Sequence, residues 1–282
     1  MGVLFVSSSA FAAGWIQKTS GTALDLYSLD HSAGFGVITA NGSTVLVSHD
    51  QGKSWSSATV GFGSYFGVDT VSSEMGIIVG TSGKIYKSVD AGGIWTLKPS
   101  GTTVTLRAID MYNPTFGFAV GDGGKILRTS NGGETWEPMT SGTTASLYDV
   151  ATFSKTTAWA VGNGGTILRT TNGGTTWTPQ ASGTTSQLRA VDAISSTIVR
   201  AGAANGNMYR TTDGGGIWTE VDIPGVSYIQ SLDFYSTTHV ILTTGAGLYE
   251  TVDVGTTWTP GTLVDALPAS ASGAPCRSRT VA

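Results

Sequence analysis

The sequence predicts an all-β fold, a β-propeller of four-stranded antiparallel blades, and three observations carry that expectation. The first is a period: Trp55, Trp95, Trp136, Trp177, Trp218 and Trp258 follow one another at intervals of 40, 41, 41, 41 and 40 residues. The second is the string that ends at each of them. SHDQGKSW (48–55), SVDAGGIW (88–95), TSNGGETW (129–136), TTNGGTTW (170–177), TTDGGGIW (211–218) and TVDVGTTW (251–258) share Ser/Thr, then Asp or Asn, then Gly, then Trp at fixed offsets. The third is composition. Forty of 282 residues are Gly and only 12% are charged, about half the usual ~25%. Glycine, Thr, Ser and Val suit turns and strands rather than helices. With 8 Trp, 9 Tyr and 9 Phe to bury and a net charge of −4, disorder is excluded.

Each unit reads as four short strands. In the fourth, Trp136 opens one strand, Leu147–Val150 a second, Thr157–Val161 a third and Thr166–Arg169 a fourth. Gly162-Asn163-Gly164-Gly165 supplies the positive-φ residues of a hairpin between the last two, and Gly121-Asp122-Gly123-Gly124 repeats that turn. The box is a second hairpin turn, whose Asp or Asn accepts hydrogen bonds from nearby backbone and whose Trp packs between sheets. The box residues assigned this structural role are Asp50, Asp90, Asn131, Asn172, Asp213 and Asp253 with the six tryptophans. A unit of about 40 residues cannot bury both faces of its sheet alone, so units stack radially, which also removes most exposed edges.

The boundaries follow. Residues 1–13 resemble a signal-peptide leader, with the apolar run Val3–Val6 ahead of Ala10-Phe11-Ala12, and imply export to a periplasmic, lumenal or extracellular space. Residues 14–263 form the propeller. Residues 264–282 lose all strand alternation and read as a disordered or non-native tail. Six units predict six blades; the alternative is seven with one incomplete, because Trp15 keeps the register 40 residues before Trp55. The lone cysteine, Cys276, allows no internal disulfide, and no apolar run is long enough to span a bilayer. A pI near 5.3 gives no general attraction to nucleic acid.

The string is the Asp-box, or BNR repeat, found in sialidases and other propellers. The surrounding pattern is more specific. Leu106-Arg107-Ala108-Ile109-Asp110, Phe118-Ala119-Val120-Gly121-Asp122-Gly123-Gly124, Ile126-Leu127-Arg128-Thr129 and Asn131–Trp136 together resemble the photosystem II assembly and stability factor family, over about residues 15–262. That resemblance implies a non-enzymatic protein that assists assembly of a membrane complex, with seven blades and an arginine-rich binding face typical of the photosynthetic members.

Few residues are left for chemistry. Asp30, Asp69, Asp110, Asp192 and Asp233 share one register, 14 or 15 residues after a Trp, where the fourth unit has Ala151, and so read as architectural. A sialidase-like site needs an arginine triad, an acid and a Tyr–Glu pair. Only five glutamates exist, and Glu134, Glu137 and Glu250 belong to or flank boxes. His31, His49 and His239 neighbour no nucleophile motif, and no oxygen-rich loop points to a metal, so neither metal nor cofactor is expected. Two features remain as candidate binding sites. Tyr27, Phe66, Arg107, Tyr148, Arg189 and Gln230 share the position three before the strand aspartate, on the strand that lines the central channel. Arg200 interrupts a register that holds Phe118, Trp159 and Ile241 elsewhere. A basic arc, Lys87, Arg128, Arg169 and Arg210, stands eight residues before the box tryptophans as a candidate dock for an acidic partner. The reading is therefore a non-catalytic, exported, protein-binding scaffold or assembly factor for a membrane or cell-surface complex. The alternative is a glycan-binding or divergent sialidase-like propeller.

Overall fold

The computed structural model describes the backbone of residues 3–7, 15–261 and 276–278, and the side chains of residues 20–261. Six four-stranded antiparallel blades follow one another in sequence order. Their inner strands are Leu26–Ser32, Tyr65–Thr70, Leu106–Met111, Leu147–Thr152, Leu188–Ala193 and Ile229–Phe234. Their outer strands are Ser56–Thr59, Thr96–Lys98, Glu137–Met139, Thr178–Gln180, Thr219–Val221 and Thr259–Pro260. Inner strands of all six blades line one channel. Two pairings flank this set. Val3–Ser7, within the segment read as a leader, is a strand antiparallel to Trp15–Thr19. Cys276–Ser278, within the expected tail, runs parallel beside the inner strand of blade 1. Residues 1–2, 8–14, 262–275 and 279–282, which hold the rest of those two segments, lie outside the described residues.

The box folds the same way six times. In blade 1, Ser48 Oγ donates to Asp50 Oδ1 at 2.9 Å and accepts from Gly52 N at 2.9 Å, while Asp50 Oδ1 accepts from Ser54 N at 2.9 Å. Asn131 and Asn172 do the same work with an amide, and each also donates Nδ2 to a threonine hydroxyl, at 2.8 and 2.9 Å. Hydrogen bonds from Ser54 and Thr257 hold the carboxyls of Asp50 and Asp253 down at about 2. The glycines of the other hairpin turn have a steric cause. Gly124 and Gly165 sit at φ 71° and 72°, and a Cβ there would stand 2.1 and 1.9 Å from the carbonyl oxygens of Thr143 and Thr184.

Blades are joined by side chains, and the tryptophans go where the sequence placed them. Trp95, Trp136, Trp177, Trp218 and Trp258 each join the apolar cluster of the preceding blade. Trp177, for example, meets Phe118 edge-on with ring centroids 5.3 Å apart. The strand aspartates are the second joint. Asp30 accepts from Thr70 N, Asp69 from Met111 N, Asp110 from Thr152 N and Asp192 from Phe234 N, so each inner strand holds a backbone N–H of the next. Blade 4 has Ala151 in that register. There Asp149, two residues earlier, accepts from Val191 N at 2.8 Å and keeps the link.

Candidate functional site

The channel ring is built by a backbone irregularity. Each inner strand pairs with its neighbour in register except at one residue, which the ladder skips: the shift falls between Leu26 and Ser28, Tyr65 and Gly67, Leu106 and Ala108, Leu147 and Asp149, Leu188 and Ala190, and Ile229 and Ser231. The skipped residues are Tyr27, Phe66, Arg107, Tyr148, Arg189 and Gln230. A bulge of this kind re-aims a side chain out of the pleat, and all six line the central cavity. The register argument thus placed all six together. The cavity is narrow, about 110 Å³, room for one small side chain or the end of a chain.

Its charges are unequal. Arg107 lies between Phe66 and Tyr148, its guanidinium 5.7 and 5.4 Å from the two ring centroids, and grips Asp122 through two bonds of 2.7 and 3.0 Å. Tyr27 and Phe66 meet edge to face at 5.0 Å. Burial, aided by the charge of Asp25, pushes the Tyr27 phenol above its ordinary range, so it stays a neutral hydroxyl. Arg189 occupies the place of Arg107 two blades on, but the residue 15 positions later is Ala204 where Arg107 has Asp122. Arg189 is exposed and has no hydrogen bond or ion pair among the described residues. Asp149 is the carboxylate in the cavity lining, and its two oxygens accept from Val150 N and Val191 N.

Arg200 does not join this site. Its side chain is 1% exposed, packed between blades 5 and 6 with its guanidinium 4.8 Å from the Phe234 centroid and Nη2 donating to Val254 O at 3.3 Å. Its strand residue pairs with Arg210 and Asp192 in the middle of the sheet, so its register faces the seam between blades and not the channel. Burial, then the charge of Arg210, lowers its pKa to about 10.

The basic arc also serves the seams. Lys87 pairs with Glu134 of the next box at 2.7 Å, Arg128 donates to Gly173 O at 2.8 Å and Arg210 to Val254 O at 3.1 Å. Gly173 and Val254 are the same position of the fourth and sixth boxes, directly after the Asn or Asp, and in each case the donor comes from the preceding blade. Arg169 stacks on Trp159 at 5.2 Å and donates to Ser196 O. These cations are spent on blade-to-blade contacts, which corrects the expectation of a free acidic-partner dock. Sequence reasoning missed Asp122 and Asp149; the bulge that brings Asp149 into play leaves no mark in the repeat alignment, whereas the 15-residue offset of Asp122 from Arg107 was readable.

Among the described residues, no cluster of His, Cys, Asp and Glu is arranged to hold a metal ion, and no helix is long and apolar enough to cross a membrane. The sequence profile described as photosynthesis system II assembly factor YCF48 matches residues 97–222, and the BNR/Asp-box repeat profile matches residues 46–57. No curated protein matches. Among solved structures, YCF48 bound to D1 peptide is 19% identical over 84% of this chain and 81% of its own, with a TM-score of 0.70. YCF48 from Cyanidioschyzon merolae is 17% identical over 86% of this chain and 99% of its own, at 0.56. The GH74 enzyme of Niastella koreensis is 17% identical at a TM-score of 0.73, covering 89% of this chain, which spans 50% of that enzyme. On its period, its boxes and these likenesses, the chain is an Asp-box repeat β-propeller resembling the photosystem II assembly factor YCF48.

Proposed function

We propose that this propeller is a non-catalytic, exported protein-binding scaffold or assembly factor for a membrane or cell-surface complex, and that it takes a carboxylate-bearing segment of its partner at the channel ring. The observation that carries the reading is the contrast between Arg107 and Arg189. Arg107 shows how a carboxylate sits against this ring, gripped through two bonds by Asp122. Arg189 presents the same guanidinium two blades away without an internal acid, so a partner's carboxylate takes the place that Asp122 fills. Tyr27, Phe66 and Tyr148 supply apolar contact beside it. The narrowness of the cavity favours a chain terminus or an acidic side chain over a sugar ring. Support also comes from a similar propeller whose structure is that of YCF48 bound to D1 peptide.

A second reading, glycan binding or hydrolysis, is favoured by the shared architecture of the GH74 enzymes, including the xyloglucanase of Xanthomonas campestris. Glycoside hydrolysis calls for two carboxyl groups facing one bond, and Asp149, the acid in the channel lining, is committed to backbone N–H groups.

The test is fluorescence anisotropy with a labelled heptapeptide ending in a free carboxylate, its C-terminal amide, and a xyloglucan oligosaccharide. The free acid binds, and Arg189→Ala weakens it by about tenfold or more, as loss of a charge-assisted bond of about 1.5–3 kcal/mol requires. Equal binding of acid and amide, or oligosaccharide binding that survives Arg189→Ala, overturns the reading.

A further inference from the structure

The sequence contains five Asn-Gly steps, at Asn41, Asn131, Asn163, Asn172 and Asn205. Such a step is chemically labile. The glycine nitrogen attacks the side-chain carbonyl carbon of the asparagine, and the missing Cβ leaves the approach open. Reaction needs a mobile side-chain amide and a backbone nitrogen not already engaged, and the fold distributes these unequally.

The two box asparagines are locked. Asn131 accepts from Thr129 Oγ1 and Thr135 N and donates to Thr135 Oγ1, while Gly132 is buried and its N donates to Thr115 O at 2.8 Å. Asn172 is held likewise, and Gly173 N donates to Thr156 O at 2.9 Å. At the last step, Asn205 accepts from Asn207 N, and buried Gly206 donates to Ala203 O. Asn41 is tethered by Ser64 Oγ at 3.0 Å. Asn163 and Gly164 share their exposure and open surroundings with Asn41 and Gly42 but lack the tether: a Cβ on Gly164 would meet nothing within 4 Å, and neither the Asn163 side-chain amide nor the Gly164 N–H has a hydrogen-bond partner among the described residues.

We propose that Asn163 is a site of spontaneous deamidation. The Gly164 nitrogen loses its proton and bonds to the Asn163 Cγ, the Cγ–Nδ2 bond breaks, and the side-chain nitrogen leaves as ammonia with that proton. Water then opens the succinimide to aspartate or isoaspartate. One water is consumed, one ammonia is released and nothing is oxidised. The product carboxylate stands where blade 3 has Asp122, in the same Gly-[Asp/Asn]-Gly-Gly turn. In blade 4 the register of Arg107 is filled by Tyr148, so the new charge has no arginine in that register of its own blade and offsets part of the positive charge that Arg189 brings to the ring. That last consequence rests on the channel reading; the chemistry does not.

The experiment is peptide mapping by mass spectrometry, with enzymatic isoaspartate detection, on the full chain aged in mildly alkaline buffer and on the same chain aged in denaturant. In the folded protein the Asn163 peptide converts several-fold faster than those of Asn131 and Asn172, with isoaspartate present. In denaturant the ranking collapses, and Asn163→Gln removes the product while leaving the other four sites unchanged. Box asparagines converting as fast as Asn163 in the folded chain overturn the proposal, as does an Asn163 peptide that converts in denaturant but is inert in the fold. Because no ligand enters the assay, its outcome is independent of whether the channel binds a carboxylate.

Discussion

At the scale of residues, the aspartates divide into two kinds with opposite sensitivities. Box aspartates are exposed or half-buried acceptors whose pKa is set by hydrogen bonds. Asp50 and Asp253 titrate at about 2 in the fold, against about 3.9 in an unfolded chain. A depressed carboxyl contributes stability that is fully present above the unfolded value and is lost as pH falls from about 4 to about 2. Asn131 and Asn172 show that the turn accepts an amide, so Asp253→Asn is expected to flatten the acid limb of the stability curve while leaving stability at pH near 7 little changed. Thermal unfolding at several pH values checks this; an unchanged acid limb counts against it. Among the strand aspartates, Asp30, Asp69 and Asp110 are buried acceptors instead. Asp110→Ala leaves the buried N–H of Thr152 without that partner and is expected to cost about 1–3 kcal/mol in denaturant unfolding. The exposed Asp222→Ala is expected to stay within about 0.5 kcal/mol. Equal effects of the two substitutions contradict the assignment of Asp110 as an inter-blade link.

At the scale of elements, the third strand, the box and the outer strand form a joint, and Arg200 marks where it is imperfect. Its Nη1 is buried without a partner among the described residues, and Arg210 repels it from the facing strand. Sibling blades fill that position with Phe118, Trp159 or Ile241. Replacing an imperfectly compensated buried charge by an apolar side chain of similar length is often stabilising, so Arg200→Met is expected to raise stability by about 1–2 kcal/mol, with Arg210 still capping Val254 O. Destabilisation of that size, read by chemical denaturation, sinks the argument. Much of this joint was legible in the sequence, because the box fixes which residues precede the tryptophan and the 40-residue period fixes where the next box falls. The six channel residues were legible for the same reason: one register seen six times shows its own regularity. The destinations of Lys87, Arg128, Arg169 and Arg210 were not. A cation eight residues before a tryptophan reads the same whether it faces solvent or reaches the following box, and blade-to-blade twist decides which. Burial of Arg200 was hidden similarly, since an arginine in an apolar register reads equally as a ligand site or as a packed stem.

At the scale of the whole molecule, every joint links one blade to its immediate neighbour. Asp30 to Thr70, Asp69 to Met111, Asp110 to Thr152, Asp149 to Val191 and Asp192 to Phe234 form a relay around the channel. Stability in such an array is close to a sum of blade terms and nearest-neighbour terms, so it follows the completeness of each seam. Trp136, Trp177 and Trp218 are 6–8% exposed, so the seams that bring blades 3, 4 and 5 onto their predecessors are well sealed. Trp258 is only half-buried, and the last box carries Val254 at φ 67°, a left-handed conformation that strains a β-branched residue. The seam before blade 6 also holds the imperfectly partnered Arg200. Amide exchange under native conditions is therefore expected to be slowest in the inner strands Leu106–Met111, Leu147–Thr152 and Leu188–Ala193, and faster in Ile229–Phe234. Val254→Gly relieves the strain, and Arg200→Met relieves the buried charge. Each is expected to slow exchange in blade 6 while leaving blade 3, three seams away, unchanged. Uniform protection across all six inner strands, or a Val254→Gly effect that reaches blade 3 undiminished, would show that the ring opens as a single unit and not seam by seam.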